Sequence, residues 1–371
     1  MVATLYSVSV YFLTMLIMVI LSALSNSNKN HIPILAIFVF AVVFGVRYNV
    51  GIDHLTYLEM YQSCKLGGFE IDTEPAFGAM IKLFSYLGCH FSIFFFALAF
   101  LQLYLIFYSL RNFPKLHVLV IITFFLVTTY LNFMNGIRQE IAFCFWAVSV
   151  EFLSRKKILG YFISLFLAMS FHFSAIILFP IYFLYVRRDS YFNNVKMQLA
   201  ITFIAVALYF VFGTTNLIFG LVAELAKMMG YYGYVGMVIE GNTEFLEASR
   251  GIGLGFYIIF VLNFIIILLS DKVKDFYKSR HYNILYDLYF FGVVYMYLTN
   301  GSIALQRINY YFYNFNFIIG AFTLYYLMRH KTLRNTLVSI CMFSLYVLLF
   351  AAIVVYRGEE SCAIYQTFWN L

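Results

Sequence analysis

Residues 91–109 read FSIFFFALAFLQLYLIFYS, a run with no charged side chain and long enough to cross a bilayer. A hydrocarbon core about 30 Å thick takes roughly 20 apolar residues as a helix, because backbone groups that meet no water must bond to one another. Working outward from this run, comparable stretches recur at 3–24, 32–47, 118–133, 137–153, 158–171, 173–186, 197–220, 252–270, 284–299, 308–328 and 337–355. The pattern predicts an all-α polytopic membrane protein of about 12 transmembrane helices, with residues 1–371 as a single integral membrane domain. The stretches at 158–171 and 173–186 are short and adjoin, so they read as a helical hairpin or as a broken, partly re-entrant pair. The first stretch begins without a basic leader or a small-residue cleavage site, which favours a retained helix over a cleaved signal.

Composition excludes the other classes. The 371 residues are 63% apolar, 21% aromatic and 11% charged, whereas a soluble domain carries about 25% charged residues. A soluble enzyme, a disordered chain, a coiled coil and a disulfide-stapled secreted module are all ruled out. The formal net charge of +7 is not gathered into a basic stripe, so the expected partner is the lipid bilayer and not nucleic acid. Its distribution is informative. The connections 25–31, 110–117, 154–157, 187–196, 271–283 and 329–336 hold 16 of the 24 Lys and Arg residues. Basic short loops stay cytoplasmic, so both termini and the two long connections, 48–90 and 221–251, are expected to face outward. In the first, Phe77, Met80, Ile81, Phe84 and Leu87 recur at helical spacing, which predicts an amphipathic helix on the membrane surface. Leu221, Leu225 and Met228 suggest the same for the second.

Ionisable side chains near apolar stretches are costly and need a reason. Arg47, Asp53, Glu74, Arg138, Glu140, His172 and Arg307 all fall at or just beyond outward helix ends. Arg47, Arg138 and Arg307 suit a multiply charged anion, since the guanidinium donates paired hydrogen bonds and stays protonated. A lipid pyrophosphate would meet them at headgroup level; each also suits snorkelling to lipid phosphate. His172 is a candidate proton acceptor, since imidazole as a side-chain type exchanges protons near neutral pH, or a hydrogen-bonded structural residue. Asp53 follows Gly51, whose freedom permits a tight turn at the helix exit, and it reads otherwise as a solvated loop acid. Glu74-Pro75 marks a helix start, with Glu74 either catalytic or simply acidic first-turn residue. There is no His-x-x-x-His, Cys-x-x-Cys or Asp-x-Asp, no Gly-rich phosphate loop, and so no expected metal or cofactor. A Cys64–Cys89 bridge has no spacing rule behind it.

In order along the chain, Arg47-Tyr48-Asn49-Val50-Gly51-Ile52-Asp53 with Tyr57, Glu74-Pro75-Ala76-Phe77, Asn135-Gly136-Ile137-Arg138-Gln139 with Ala142, and Phe171-His172-Phe173-Ser174-Ala175 with Pro180 resemble the EpsG family, close to Wzy-type O-antigen and capsule polymerases. Arg307-Ile308-Asn309-Tyr310-Tyr311-Phe312 is a weaker fifth match, and nothing specific follows residue 313. The resemblance implies a GT-C-like arrangement in the bacterial inner membrane. It implies a polysaccharide polymerase acting at the outer face on undecaprenyl-pyrophosphate-linked oligosaccharide. On that reading Arg47, Arg138 and Arg307 meet the pyrophosphate, and the general base is His172, Asp53 or Glu74. Tyr57, Gln139, Tyr310 and Tyr311 are further substrate contacts, and a chain-length regulator is a candidate partner. A lipid-linked oligosaccharide flippase, an O-antigen ligase and a lipid-phosphate-sugar-dependent transferase are the rival readings.

Overall fold

The computed structural model describes residues 5–25, 31–67, 73–212, 253–299, 303–357 and 364–370. The 221–251 connection lies outside these residues. Every regular element is helical, and no strand occurs among the described residues. The chain packs as two units, Met1–Asp189 with Gly320–Leu371, and Ser190–Ile319.

The first unit contains α1 (Leu5–Leu24), α2 (Ile34–Val46), α3 (His54–Lys65), α4 (Pro75–Tyr86), α5 (Phe91–Ser109), α6 (His117–Leu126), α7 (Thr129–Asn135), α8 (Ile137–Ser154), α9 (Ile158–Phe171) and α10 (Ile181–Tyr185). The second contains α11 (Val195–Phe212), α12 (Leu254–Tyr277), α13 (Arg280–Thr299) and α14 (Ile303–Tyr313). After α15 (Asn316–Arg329), α16 (Leu333–Phe350) runs on in the first unit as a π-helical stretch over Ala351–Arg357.

The helices are built inside out for water. α1 buries Ser7, Tyr11, Thr14, Met18 and Ser22, while Leu5, Phe12, Leu13 and Ile20 are each about half exposed or more. Small and polar residues at the packing face with large apolar ones outside is the arrangement lipid solvent favours. Among the described residues, four helices are long and apolar enough to cross a membrane: α1, α5, α12 and Leu333–Val355; the α6–α7 pair, bent by 72°, makes a fifth if counted as one span. The expected count of about 12 is not reached by this measure. α2, α9 and the segments Phe173–Tyr185 and Val195–Phe210 are apolar but short, and α8 carries Arg138, Glu140 and Glu151. Apolarity in the sequence does not by itself separate a full crossing from a short helix buried within a bundle.

The adjoining stretches at 158–186 form a hairpin. Tyr161 Oη donates to the Leu178 carbonyl at 2.8 Å and its ring meets Tyr182, so the chain after residue 172 runs back along α9. In the long 48–90 connection α4 forms where expected, with Pro75 in its first turn and Phe77, Gly78 and Ile81 buried. α2 lies close against α5 because Gly45 has no side chain: a Cβ there would sit 2.7 Å from the Ser92 carbonyl.

α8 is the buried centre of this unit and packs against α5, α7 and α9. Near one end it carries Arg138. Near the other, Glu151 is fully buried and meets Arg111 at 3.0 Å and Arg155 at 2.5 Å. Thirteen residues of helix separate Arg138 from Glu151, or about 20 Å at 1.5 Å per residue. Two polar layers thus bracket an apolar one, and the basic loops 110–117 and 154–157 belong to the layer opposite Arg138.

Within the second unit, Lys274 Nζ meets Asp287 Oδ1 at 3.2 Å and also donates to Ser190 and the Phe192 carbonyl. Asn263 is enclosed by the hydroxyls of Tyr289, Tyr297 and Tyr313.

Candidate functional site

Four of the quoted sequence segments meet at one end of the first unit. The first turns the chain from α2 into α3. Asn49 (φ 51°) and Gly51 (φ 96°) take left-handed conformations, which reverse direction in a few residues, and glycine does so without strain. Asp53, at the start of α3, donates its backbone N–H to Asn135 Oδ1 at 3.1 Å, tying this turn to the α7–α8 break. At that break Gly136 separates the two helices, and Gln102 of α5 donates to the Phe133 carbonyl at 3.2 Å.

The second segment contributes Glu74. It precedes Pro75 with extended dihedrals, but its carboxylate does not cap its own helix. Oε2 accepts from Arg138 at 2.5 Å and from the Thr73 hydroxyl at 3.2 Å, while Oε1 lies 2.7 Å from His172 Nδ1. Arg138 also donates to Thr73 Oγ1 at 3.0 Å. The side chains of Arg138, Glu74 and His172 are 28%, 16% and 22% exposed, so the cluster is sheltered yet reachable. Burial would raise the Glu74 carboxyl. The His172 hydrogen bond and the Arg138 charge outweigh it and hold the group at about 2. The guanidinium lies 5.8 Å from the Tyr57 ring and 6.0 Å from Phe77, within reach of the ring quadrupoles.

His172 caps the C-terminal end of α9 with extended dihedrals, at the tip of the hairpin. That position lifts its ring clear of the helix and toward α4, which packs against α9. A sequence separation of 98 residues between Glu74 and His172 is thereby closed.

Arg47, expected at a pyrophosphate, is completely buried. Its guanidinium is 3.7 Å from the Phe44 ring centroid and 5.4 Å from Phe95, and it donates to the Met134 carbonyl at 2.6 Å. It braces the turn against the α7–α8 break and reaches no open surface. Tyr57 is 4% exposed and packs on Phe77, so its ring lies behind Arg138. Gln139 and Glu140 point into the buried side of α8, and Asp53 is half-buried. Arg307 is exposed on α14 in the second unit, where Tyr310 is half-buried and Tyr311 fully buried. Cys64 and Cys89 are free thiols. Among the described residues no group of three His, Cys, Asp or Glu side chains is placed to hold a metal ion.

Three contributors have little sequence signal. Thr73 is an ordinary loop residue until Arg138 and Glu74 close around it. His54, stacked on Phe95 at 4.8 Å, is held down at about 3 by burial and by Arg47, so it is neutral and accepts from the Asn49 N–H through Nδ1. The tail 364–370 returns to the site end of the unit. Tyr48 N–H donates to the Gln366 carbonyl at 3.0 Å, Thr367 pairs with Arg47, and Phe368 packs on His90 and Phe91.

The model of the EpsG family matches residues 30–367, nearly the whole chain, and so takes in every segment of this cluster. No curated protein and no solved structure matches the chain.

Proposed function

Because the chain belongs to the EpsG family, a family of Wzy-like polymerases, we propose that it joins undecaprenyl-pyrophosphate-linked oligosaccharide units at the outer face of the bacterial inner membrane. A growing chain moves from its lipid pyrophosphate to the end of a newly delivered lipid-linked unit, and undecaprenyl pyrophosphate departs. The observation that carries this reading is the convergence of Arg138, Glu74 and His172, from three distant segments, at the end of α8 opposite its basic loops. A pyrophosphate on a lipid needs a cation at headgroup depth, and Arg138 is a partly exposed one there. Arg307, exposed on α14 of the second unit, is a separate candidate for binding a phosphate group. Arg47 serves as the brace beneath the turn.

Charge grows on the departing diphosphate in the transition state. A preoriented guanidinium lowers that barrier, typically by about 3 kcal/mol or more per donor in a partly dry site. The base that deprotonates the acceptor hydroxyl comes from His172, Asp53 or Glu74. Outward orientation with both termini outside agrees with the placement of basic loops. A chain-length regulator would bind outside this chemistry.

The test is reconstitution of the purified protein with a defined lipid-pyrophosphate oligosaccharide. Wild type is expected to yield ladders of multimers, and folded Arg138→Ala to yield almost none. Long polymer from Arg138→Ala at the wild-type rate would refute the leaving-group role. Flipping of the intact substrate without polymerisation would instead identify a transporter.

A further inference from the structure

We propose that Glu74 and His172 act as a dyad, in which the carboxylate fixes the imidazole through Nδ1 and leaves Nε2 to take the acceptor proton. This rests on the polymerase reading above. It assigns separate tasks to residues that sequence alone left as interchangeable candidates.

The assignment follows from the bonding at the carboxylate. Both Glu74 oxygens are committed, Oε2 to Arg138 and Thr73 and Oε1 to His172. An ionised carboxylate can only accept hydrogen bonds, so the proton in the 2.7 Å contact belongs to His172 Nδ1. A neutral imidazole with its proton on Nδ1 carries a free lone pair on Nε2. Among the described residues nothing hydrogen-bonds to Nε2, and the side chain remains 22% exposed. Glu74 itself is a poor base, since a proton arriving there would have to displace the charge-assisted bond to Arg138. It is a positioning residue.

The same carboxylate also touches the arginine assigned to the leaving group. One residue therefore sets the spacing between the groups acting on the two ends of the displacement. In the step, the acceptor O–H bond breaks and its proton goes to Nε2. The acceptor oxygen forms the new bond at the anomeric carbon, and the bond from that carbon to the phosphate oxygen breaks with its electron pair on the diphosphate. The imidazolium then returns its proton to water or to the released diphosphate. Thr73 donates to Glu74 and accepts from Arg138, which holds the carboxylate in the orientation that serves both partners.

The experiment uses the full-length protein in detergent with Glu74→Gln, Glu74→Asp, His172→Ala and the Glu74→Gln/His172→Ala double variant. The first readout is the tautomer of His172 by ¹⁵N NMR, with its signal assigned by loss in His172→Ala. Wild type should show the Nδ1–H form, and Glu74→Gln should lose that preference. The second is single-turnover polymerisation. His172→Ala should slow it about 10²–10⁴-fold, and adding Glu74→Gln to it should cost much less than Glu74→Gln costs the wild type, because orienting an absent base has no value and only the contact with Arg138 is then lost. Glu74→Asp, which keeps the charge, should be faster than Glu74→Gln. An unchanged tautomer in Glu74→Gln, or multiplicative losses in the double variant, would overturn the dyad. Failure of wild type to polymerise a defined lipid-linked substrate would overturn the polymerase reading, and the tautomer measurement still judges the dyad geometry by itself.

Discussion

The contact between Arg138 and Glu74 should be measurable as a coupling free energy. Opposite charges about 4 Å apart attract by about 4 kcal/mol at an effective dielectric of 20. With 28% of the Arg138 side chain and 16% of Glu74 exposed, water screens part of that. Ordering a long guanidinium arm removes more, leaving about 1–2 kcal/mol of net coupling. The perturbation is a double-mutant cycle of Arg138→Ala, Glu74→Gln and the pair, followed by denaturant unfolding in detergent. The pH dependence has a definite sign. Glu74 is lowered from 4.5 to about 2 in the fold, so its contribution is complete above about 4.5 and is lost as pH falls toward about 2. The coupling at pH 3, where Glu74 in the fold is still mostly ionised, should therefore be about two-thirds of that at pH 7, and it should fall further toward pH 2. Additivity within about 0.5 kcal/mol at pH 7, or a coupling that grows in acid, would refute the picture of a charge-assisted cluster.

Arg47→Ala should lower stability by about 2–4 kcal/mol, through the lost bond to Met134 and the cavity between Phe44 and Phe95, whereas Arg138→Ala should remain folded and lose turnover; parallel unfolding and polymerisation assays separate the two. Gly45→Ala places a Cβ 2.7 Å from the Ser92 carbonyl and 2.9 Å from Phe96 Cβ, so α2 and α5 must part, at a cost of about 1–3 kcal/mol read from the unfolding midpoint. Tyr365→Phe removes a buried hydrogen bond of 2.7 Å to the Val43 carbonyl and should cost about 0.5–1.5 kcal/mol, measured the same way; no change would mean that the tail does not secure the turn at Arg47. With the site outward, Cys64 and Cys89, both half-exposed, should react with a membrane-impermeant maleimide added to intact spheroplasts, and labelling only after lysis would reverse the orientation.

Long-range placement separates what could be read from the chain from what could not. The helical class was legible because lipid allows few ways to satisfy a backbone, and apolar runs such as 91–109 announce that solvent directly. α4 was legible for a similar reason, since Phe77 and Ile81 repeat at the helical period and Pro75 starts the helix. Span number was less legible, because α2 and α9 are apolar over only 13 and 14 residues. Local composition looks the same for a crossing helix and for a short one buried against its neighbours.

The candidate site shows the same division. The sequence supplied its residue types, because charge next to an apolar stretch is costly enough to be noticed wherever it occurs. It carried no information on which charges meet. Arg47 and Arg138 are alike as letters, yet one is enclosed by Phe44 and Phe95 while the other reaches open surface beside Glu74. Thr73 and the tail around Thr367 carry no local signal at all, since their importance comes from partners up to hundreds of residues away. Residue chemistry is a property of each position, so the chain alone determines it. Pairing depends on how the α9 hairpin, the start of α4 and the break before α8 are packed together, and only the tertiary structure decides that.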